Sequence, residues 1–196
     1  MQTISVALFS INELLENAKK KAIENERTNC DVDLQFTLEY IEEILTCLGF
    51  ESPKISYSGF CSQGDGLSFT CDNWQYKKHL LARIGEITQD INILNVAKQL
   101  QVMAKNTGYK LQFSVNRTIH FYSHENTVQI ENNPYSDFSL SSDQDDILTN
   151  LKNSLCRVFY SMLENDYDYQ LSDGYIIESL LSNGVMFLSS GKVWSV

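Results

Sequence analysis

Proline is almost missing from this chain, two residues in 196, and histidine is limited to His79, His120 and His124. With so few helix breakers and 43% hydrophobic residues, the composition excludes a disordered or low-complexity segment and fits a packed globule. The five cysteines, Cys30, Cys47, Cys61, Cys71 and Cys156, form an odd set without a CxxC pair. That argues against a disulfide scaffold and a zinc ribbon, and predicts reduced, mostly structural thiols. No apolar run reaches the roughly 20 residues of a membrane helix. The opening MQTISVALFSINELLENAKKK lacks a basic leader and turns amphipathic within about ten positions, so neither a signal peptide nor a membrane contact is expected and a cytoplasmic protein is. Signatures of nucleotide binding or serine hydrolysis, GK[ST], GxGxxG and GxSxG, are absent, so the reading leans away from an enzyme.

What the chain has in excess is acid: 25 acidic against 15 basic residues give a net charge of -10. Direct attraction to nucleic acid or anionic lipid is unfavourable over most of such a surface, and a basic protein partner suits it better. The charge is uneven along the sequence. From Asp137 to Glu178, nine acids face only Lys152 and Arg157, for a net -7. From Lys77 to Arg117, seven basic residues face two acids, for a net +5.

Periodicity places the elements. A Ser10/Glu13 capping box followed by Ile11, Leu14, Leu15, Ala18 and Ile23 predicts a helix over 11–25. Leu34, Leu38, Ile41, Leu45 and Leu48 predict a second over 33–48, ended by Gly49. KISYSGF and LSFTCDN around SQGDG read as a β-hairpin. Two helical pieces follow between Trp74 and Asn106. Strands are then expected over 109–115, 118–123 and 127–131, with a turn at Asn116-Arg117. A helix opening at Ser142 and a shorter one over 172–182 complete the chain. The expectation is an α+β fold: an antiparallel sheet of about five strands, a hairpin plus a three-stranded meander, packed with several helices. Residues 1–30 read as an N-terminal helical appendage, residues 31–196 as a single α+β domain, and the appendage suits homodimerisation.

Three groups of residues carry candidate chemistry. The loop Gln63, Gly64, Asp65 and Gly66 offers glycine-permitted backbone amides for an anion, or is simply a hairpin turn. Cys61 with His120 or His124 allows a nucleophile and base, and His120, His124 and Glu125 allow a metal, but the remaining ligands are unspecified and neither a metal nor a cofactor is assigned. The acids Asp143, Asp145, Asp146, Glu164, Asp166, Asp168 and Asp173, with Tyr167 and Tyr169, form a candidate partner-binding face. Duplex DNA carries one charge per about 1.7 Å of axis, so a rigid acidic face can occupy a basic DNA-binding channel in its place.

Tyr57-Ser58-Gly59-Phe60, continued by Ser62-Gln63-Gly64-Asp65-Gly66 and Phe69, together with the later ENDYDYQLSD run, resembles an uncharacterised family of small acidic proteins from bacteriophages and prophages. The likeness covers about Phe36 to Met186, and the first thirty-odd residues lie outside it. It brings no activity or site assignment. What it implies is an accessory phage gene acting in the bacterial host cytoplasm, a setting in which small acidic proteins often inhibit host defence, as anti-CRISPR or antirestriction proteins do. The expected function is therefore a non-enzymatic binding protein that inhibits a host nucleic-acid-handling defence complex through its acidic surface. Two alternatives stay open. One is a small enzyme or ligand-binding protein centred on the QGDG loop. The other is a nucleic-acid-binding regulator using Lys77, Lys78, Arg83, Lys98, Lys105, Lys110 and Arg117 as a basic stripe.

Overall fold

The computed structural model of the chain describes residues 5–120, 122–133 and 138–194. In chain order the helices are α1 (Glu16–Asn29), α2 (Gln35–Leu48), α3 (Leu80–Ile87), α4 (Ile91–Asn106), α5 (Ser142–Gln170) and α6 (Asp173–Ser182). The strands are β1 (Phe50–Glu51), β2 (Lys54–Ser58), β3 (Gly66–Gln75), β4 (Gln112–Arg117) and β5 (Val128–Asn132), and short 3-10 turns occupy Ile11–Glu13 and Glu125–Thr127. The fold is α+β, as expected. Among the described residues no helix is long and apolar enough to cross a membrane. The chain forms two compact units, residues 35–164 and residues 1–34 with 165–196.

In the unit 35–164 the ten-residue β3 organises an antiparallel sheet in the order β1-β3-β4-β5, with β2 also on β3. β2 pairs along the first half of β3 from Lys54↔Thr70 to Ser58↔Gly66, while β1 takes its end through Phe50↔Trp74. The β2–β3 hairpin is where the SQGDG turn placed it. Trp74 stacks on Phe113 with centroids 5.1 Å apart, and its indole Nε1 donates to Leu48 O at 2.9 Å, locking the end of α2 to the sheet. Gly49 makes that junction possible: its φ is +100°, and a Cβ there would lie 2.3 Å from Gln75 O. Each helix buries one stripe, Ile41, Ile44, Leu45 and Leu48 on α2, Ile93, Val96, Ala97 and Leu100 on α4, and Leu148, Leu151, Leu155 and Phe159 on α5. A side chain of that size stabilises by roughly 1.5–3 kcal/mol when fully buried.

The three-stranded meander is not found among the described residues. β4 runs on through Asn116 and Arg117, where a turn was expected, and pairs directly with β5 through Asn116↔Gln129 and Arg117↔Val128. None of the described residues of 118–123 is in a strand, and Phe121 lies outside the described residues. The cause is local: Thr118 N–H donates to Thr127 O at 2.9 Å, and the His124–Thr127 segment closes on itself, so both ends of this stretch are pinned outside the strands. The fifth strand is β1, whose two residues carry no legible period. The strand expected from Tyr109 begins only at Gln112, because Gly108 and Tyr109 both have φ near +60°.

The other unit packs Ile11, Leu14, Ala18, Ala22 and Ile23 against Ile176, Leu180 and Phe187. Phe9 and Phe187 exchange backbone hydrogen bonds at 2.9 and 2.8 Å. The helix expected over 11–25 starts late. Ser10 and Glu13 close a capping box on the 3-10 turn, Leu14 and Leu15 are extended, and α1 runs from Glu16 to Asn29. Leu14 enters the core and Leu15 stays 81% exposed. The boundary expected near residue 30 thus falls at 34/35, and a second one cuts α5 at 164/165. Residues 1–34 are no separate appendage, because their apolar stripe is covered by the C-terminal segment. Arg27 ties the two: its Nε donates to Leu171 O at 2.9 Å and its guanidinium pairs with Asp173 and Glu24.

Candidate functional site

The polar groups of the QGDG loop satisfy one another. Asp65 Oδ2 accepts the backbone N–H of Cys61 at 2.9 Å and of Ser62 at 2.7 Å. The carboxylate therefore occupies the amide concavity that an anion would need. Gly64, at φ +104°, makes the turn, while Gly66 is pressed against His124, whose Cδ2 would lie 2.8 Å from a Cβ at that position. Ser58 Oγ donates to Ser123 O at 2.9 Å and accepts Gly66 N–H at 3.3 Å. Phe60 is stacked between Tyr57 and Tyr160, at centroid distances of 5.8 and 5.6 Å, and Tyr160 OH donates to Gly59 O at 3.1 Å. Burial, with the Glu164, Asp65 and Cys61 charges nearby, raises the Tyr160 phenol above its ordinary value. The motif is a clamp that fixes the hairpin tip on α5 and on the 118–127 loop. Gln63 and Gly64 at its tip are exposed, as is Cys61.

A second polar cluster was not anticipated. Lys152 is 4% exposed, and its Nζ donates to Glu125 O at 2.6 Å and Val128 O at 2.7 Å. Burial lowers its pKa from the ordinary 10.5. Glu125, also buried, accepts from Arg157 Nε at 3.0 Å. His124 Nδ1 accepts Asn126 N–H at 3.3 Å, capping the 3-10 turn. These bonds hold the 118–127 loop from within the unit. One signal for them lay in the sequence: Lys152 occupies a position on the apolar stripe of α5, between Leu148 and Leu155, where a solvated lysine does not belong.

The histidines weighed for catalysis or metal binding have other neighbours. His124 and Glu125 have structural partners, and the His120 ring stands 5.6 Å from that of Tyr122. Among the described residues no group of three or more His, Cys, Asp or Glu is placed to hold a metal ion. Burial pushes the Cys71 and Cys156 thiols up to about 12, so both stay protonated and inert near neutral pH. Three residues of the basic stripe also have acidic or carbonyl neighbours. Lys77 pairs with Glu51 at 3.5 Å, Arg83 lines a cleft with Glu39, Glu42 and Glu43, and Arg117 donates to Tyr122 O.

The acidic residues divide between the units. Asp143, Asp145 and Asp146 lie in the unit 35–164, all exposed in the first turns of α5. Ser141 and Gln144 form the capping pair of this helix: Gln144 N–H donates to Ser141 Oγ at 3.3 Å, and Ser141 N–H to Gln144 Oε1 at 3.0 Å. The three aspartates are thus not needed as caps, and among the described residues they make no ion pair. Glu164 is half-buried at the end of the same unit. In the other unit Asp166 accepts from Gln170 at 2.9 Å and Asp173 pairs with Arg27. Tyr167 is half-buried, Asp168 is exposed, and the exposed Tyr169 meets Tyr175 edge-on at 5.2 Å. Asp137 lies outside the described residues.

Residues 34–173 match a family described as a domain of unknown function (DUF8835). The chain belongs to this family. The match runs from the start of α2 to the first residue of α6, so the motif loop, the Lys152 cluster and the acidic turn all fall inside it, while residues 1–33 fall outside. No curated protein and no solved structure matches the chain.

Proposed function

We propose that this protein is a non-enzymatic binding protein that inhibits a host nucleic-acid-handling complex, presenting the acidic first turns of α5 to a basic surface that otherwise holds nucleic acid. The observation that carries the reading is the exposure of Asp143, Asp145 and Asp146, without ion-pair partners among the described residues, on a helix capped by Ser141 and Gln144 instead. Carboxylates at a helix N-terminus are favourably placed against the helix dipole, so the cluster costs the fold little. A basic groove would gain from its charge in encounter rate and orientation. The closure of the QGDG loop on Asp65 supports a binding protein over a ligand pocket there.

The test is capture from nuclease-treated bacterial lysate at low and moderate salt, with wild type beside the triple reversal of Asp143, Asp145 and Asp146 to lysine. The expected result is recovery of a nucleic-acid-handling complex that competing DNA displaces, that weakens with salt, and that the reversal loses. Equal recovery by wild type and reversal would sink the reading.

A further inference from the structure

α4 and the first half of α5 share the core: Val96 and Leu100 of α4 and Leu148, Leu151 and Leu155 of α5 line a small void of about 10 Å³. Beside that seam the same helices line an open groove of about 290 Å³, with Lys98, Gln99, Val102, Met103 and Asn106 on α4 and Ile147 on α5. Met103 is buried, while Val102 is 54% and Ile147 42% exposed. Both exposed residues sit on helices that bury an apolar stripe of their own, though α4 also exposes Ile91 at its first residue. The charged residue in the groove lining is Lys98, one turn before Val102 on α4; on α5, Asp143 lies one turn before Ile147, and Asp146 stands on the adjoining face of the helix.

We propose that this groove docks an amphipathic helix of a protein partner, its apolar ridge entering between Val102 and Ile147 and its arginine or lysine flank lying along Asp143 and Asp146. The inference rests on the acidic-turn reading above and adds the anchor that reading lacks. Exposed ion pairs contribute little affinity by themselves, and tight interfaces depend on a desolvated apolar centre inside a polar rim. A groove walled by two helices, with apolar residues contributed from both, matches the ridge that positions i, i+3, i+4 and i+7 of a helix present. Charge selects the occupant: the free acidic rim requires a cationic flank, and a second copy of a chain carrying -10 is repelled as an alternative.

The probe is a pair of fluorescein-labelled 18-residue helical peptides with one shared leucine and isoleucine ridge, one flanked by arginine and the other by glutamate. Binding to the full chain is read by anisotropy at two salt concentrations. The arginine peptide should bind at least about ten-fold more tightly than the glutamate peptide, and Val102→Glu and Ile147→Glu should each weaken it by about ten-fold or more. Asp143→Asn with Asp146→Asn should weaken it several-fold and flatten its salt dependence. Val102→Ser, a milder change at the same exposed site, and circular dichroism guard against misfolding as the cause. If the asparagine pair loses binding but the groove substitutions do not, the groove proposal falls and the acidic reading stands. If the groove substitutions lose binding but the asparagine pair has no effect, the acidic reading falls and the cationic occupant with it. Absence of binding by the arginine peptide, or a sedimenting dimer that Val102→Glu dissociates, overturns the proposal.

Discussion

The hairpin tip around Asp65 and the first turns of α5 are both polar, acidic and at the surface, but their charges have opposite assignments. At the tip, one carboxylate oxygen takes two backbone amides, and Phe60 is held between Tyr57 and Tyr160. At the helix start, Ser141 and Gln144 do the capping and three carboxylates face solvent. The tip is the more distinctive stretch of sequence, and its distinctiveness goes into folding. The helix start looks ordinary, and its side chains are the ones available to another molecule. A rare motif and an available site are different things, and hydrogen-bond partners tell them apart.

The comparison breaks first at Lys152, which belongs with the internally satisfied groups. Lys152→Ala should lower stability by about 3 kcal/mol in urea titrations, by leaving a cavity and depriving two buried carbonyls of their donor. Lys152→Met restores the volume and should recover part of that. Because burial lowers the Lys152 pKa, the unfolded chain holds the extra proton between that lowered value and 10.5, so wild type gains stability as pH rises through this window. The deficit of the methionine variant should therefore widen towards pH 10.5, and a deficit independent of pH would argue against a buried charge.

Asp65→Ala comes next, at about 1–2 kcal/mol, since two amides lose their acceptor. Its docking should be unchanged, and a loss of docking with stability intact would return the loop to the list of binding sites. Tyr160→Phe removes only the hydroxyl bond to Gly59 and keeps the ring stack, for about 0.5–1.5 kcal/mol. The smallest effect on folding belongs to the aspartates of the proposed binding face. Asp143→Asn, Asp145→Asn and Asp146→Asn together should shift stability by no more than about 1 kcal/mol, the loss of favourable interaction with the helix dipole. A larger shift would mean that the aspartates serve the fold after all.

Much of the architecture was legible because long amphipathic helices declare themselves. α2, α4 and α6 lie within about two residues of where their apolar spacing put them, and the β2–β3 hairpin followed from its glycine-bearing turn. The failures are local competitions. TIHFYS alternates like a strand, but Thr118 bonds to Thr127 and Lys152 grips Glu125 O and Val128 O, and the described residues of that stretch lie outside any strand. The Ser10/Glu13 box marks a real capping event, on a 3-10 turn and not on the helix expected after it. For the site, composition revealed the acids of α5 and α6 but not which of them have partners. Asp173 meets Arg27 across 146 positions, and no short-range pattern announces such a pair.

Gly66 and His124 are joined by the fold although 58 positions separate them. A methyl group at 66 would meet the imidazole Cδ2 at 2.8 Å and the His124 Cα at 3.3 Å, so shrinking the ring alone gives only part of the needed room. Evolution is then left with few moves at this spot: across the family the two positions should stay fixed together or drift together, with glycine surrendered only where the facing loop has itself been rebuilt. An inherited pairing of that kind would be a mark of common descent written in backbone clearance, readable even where the rest of the surface has diverged.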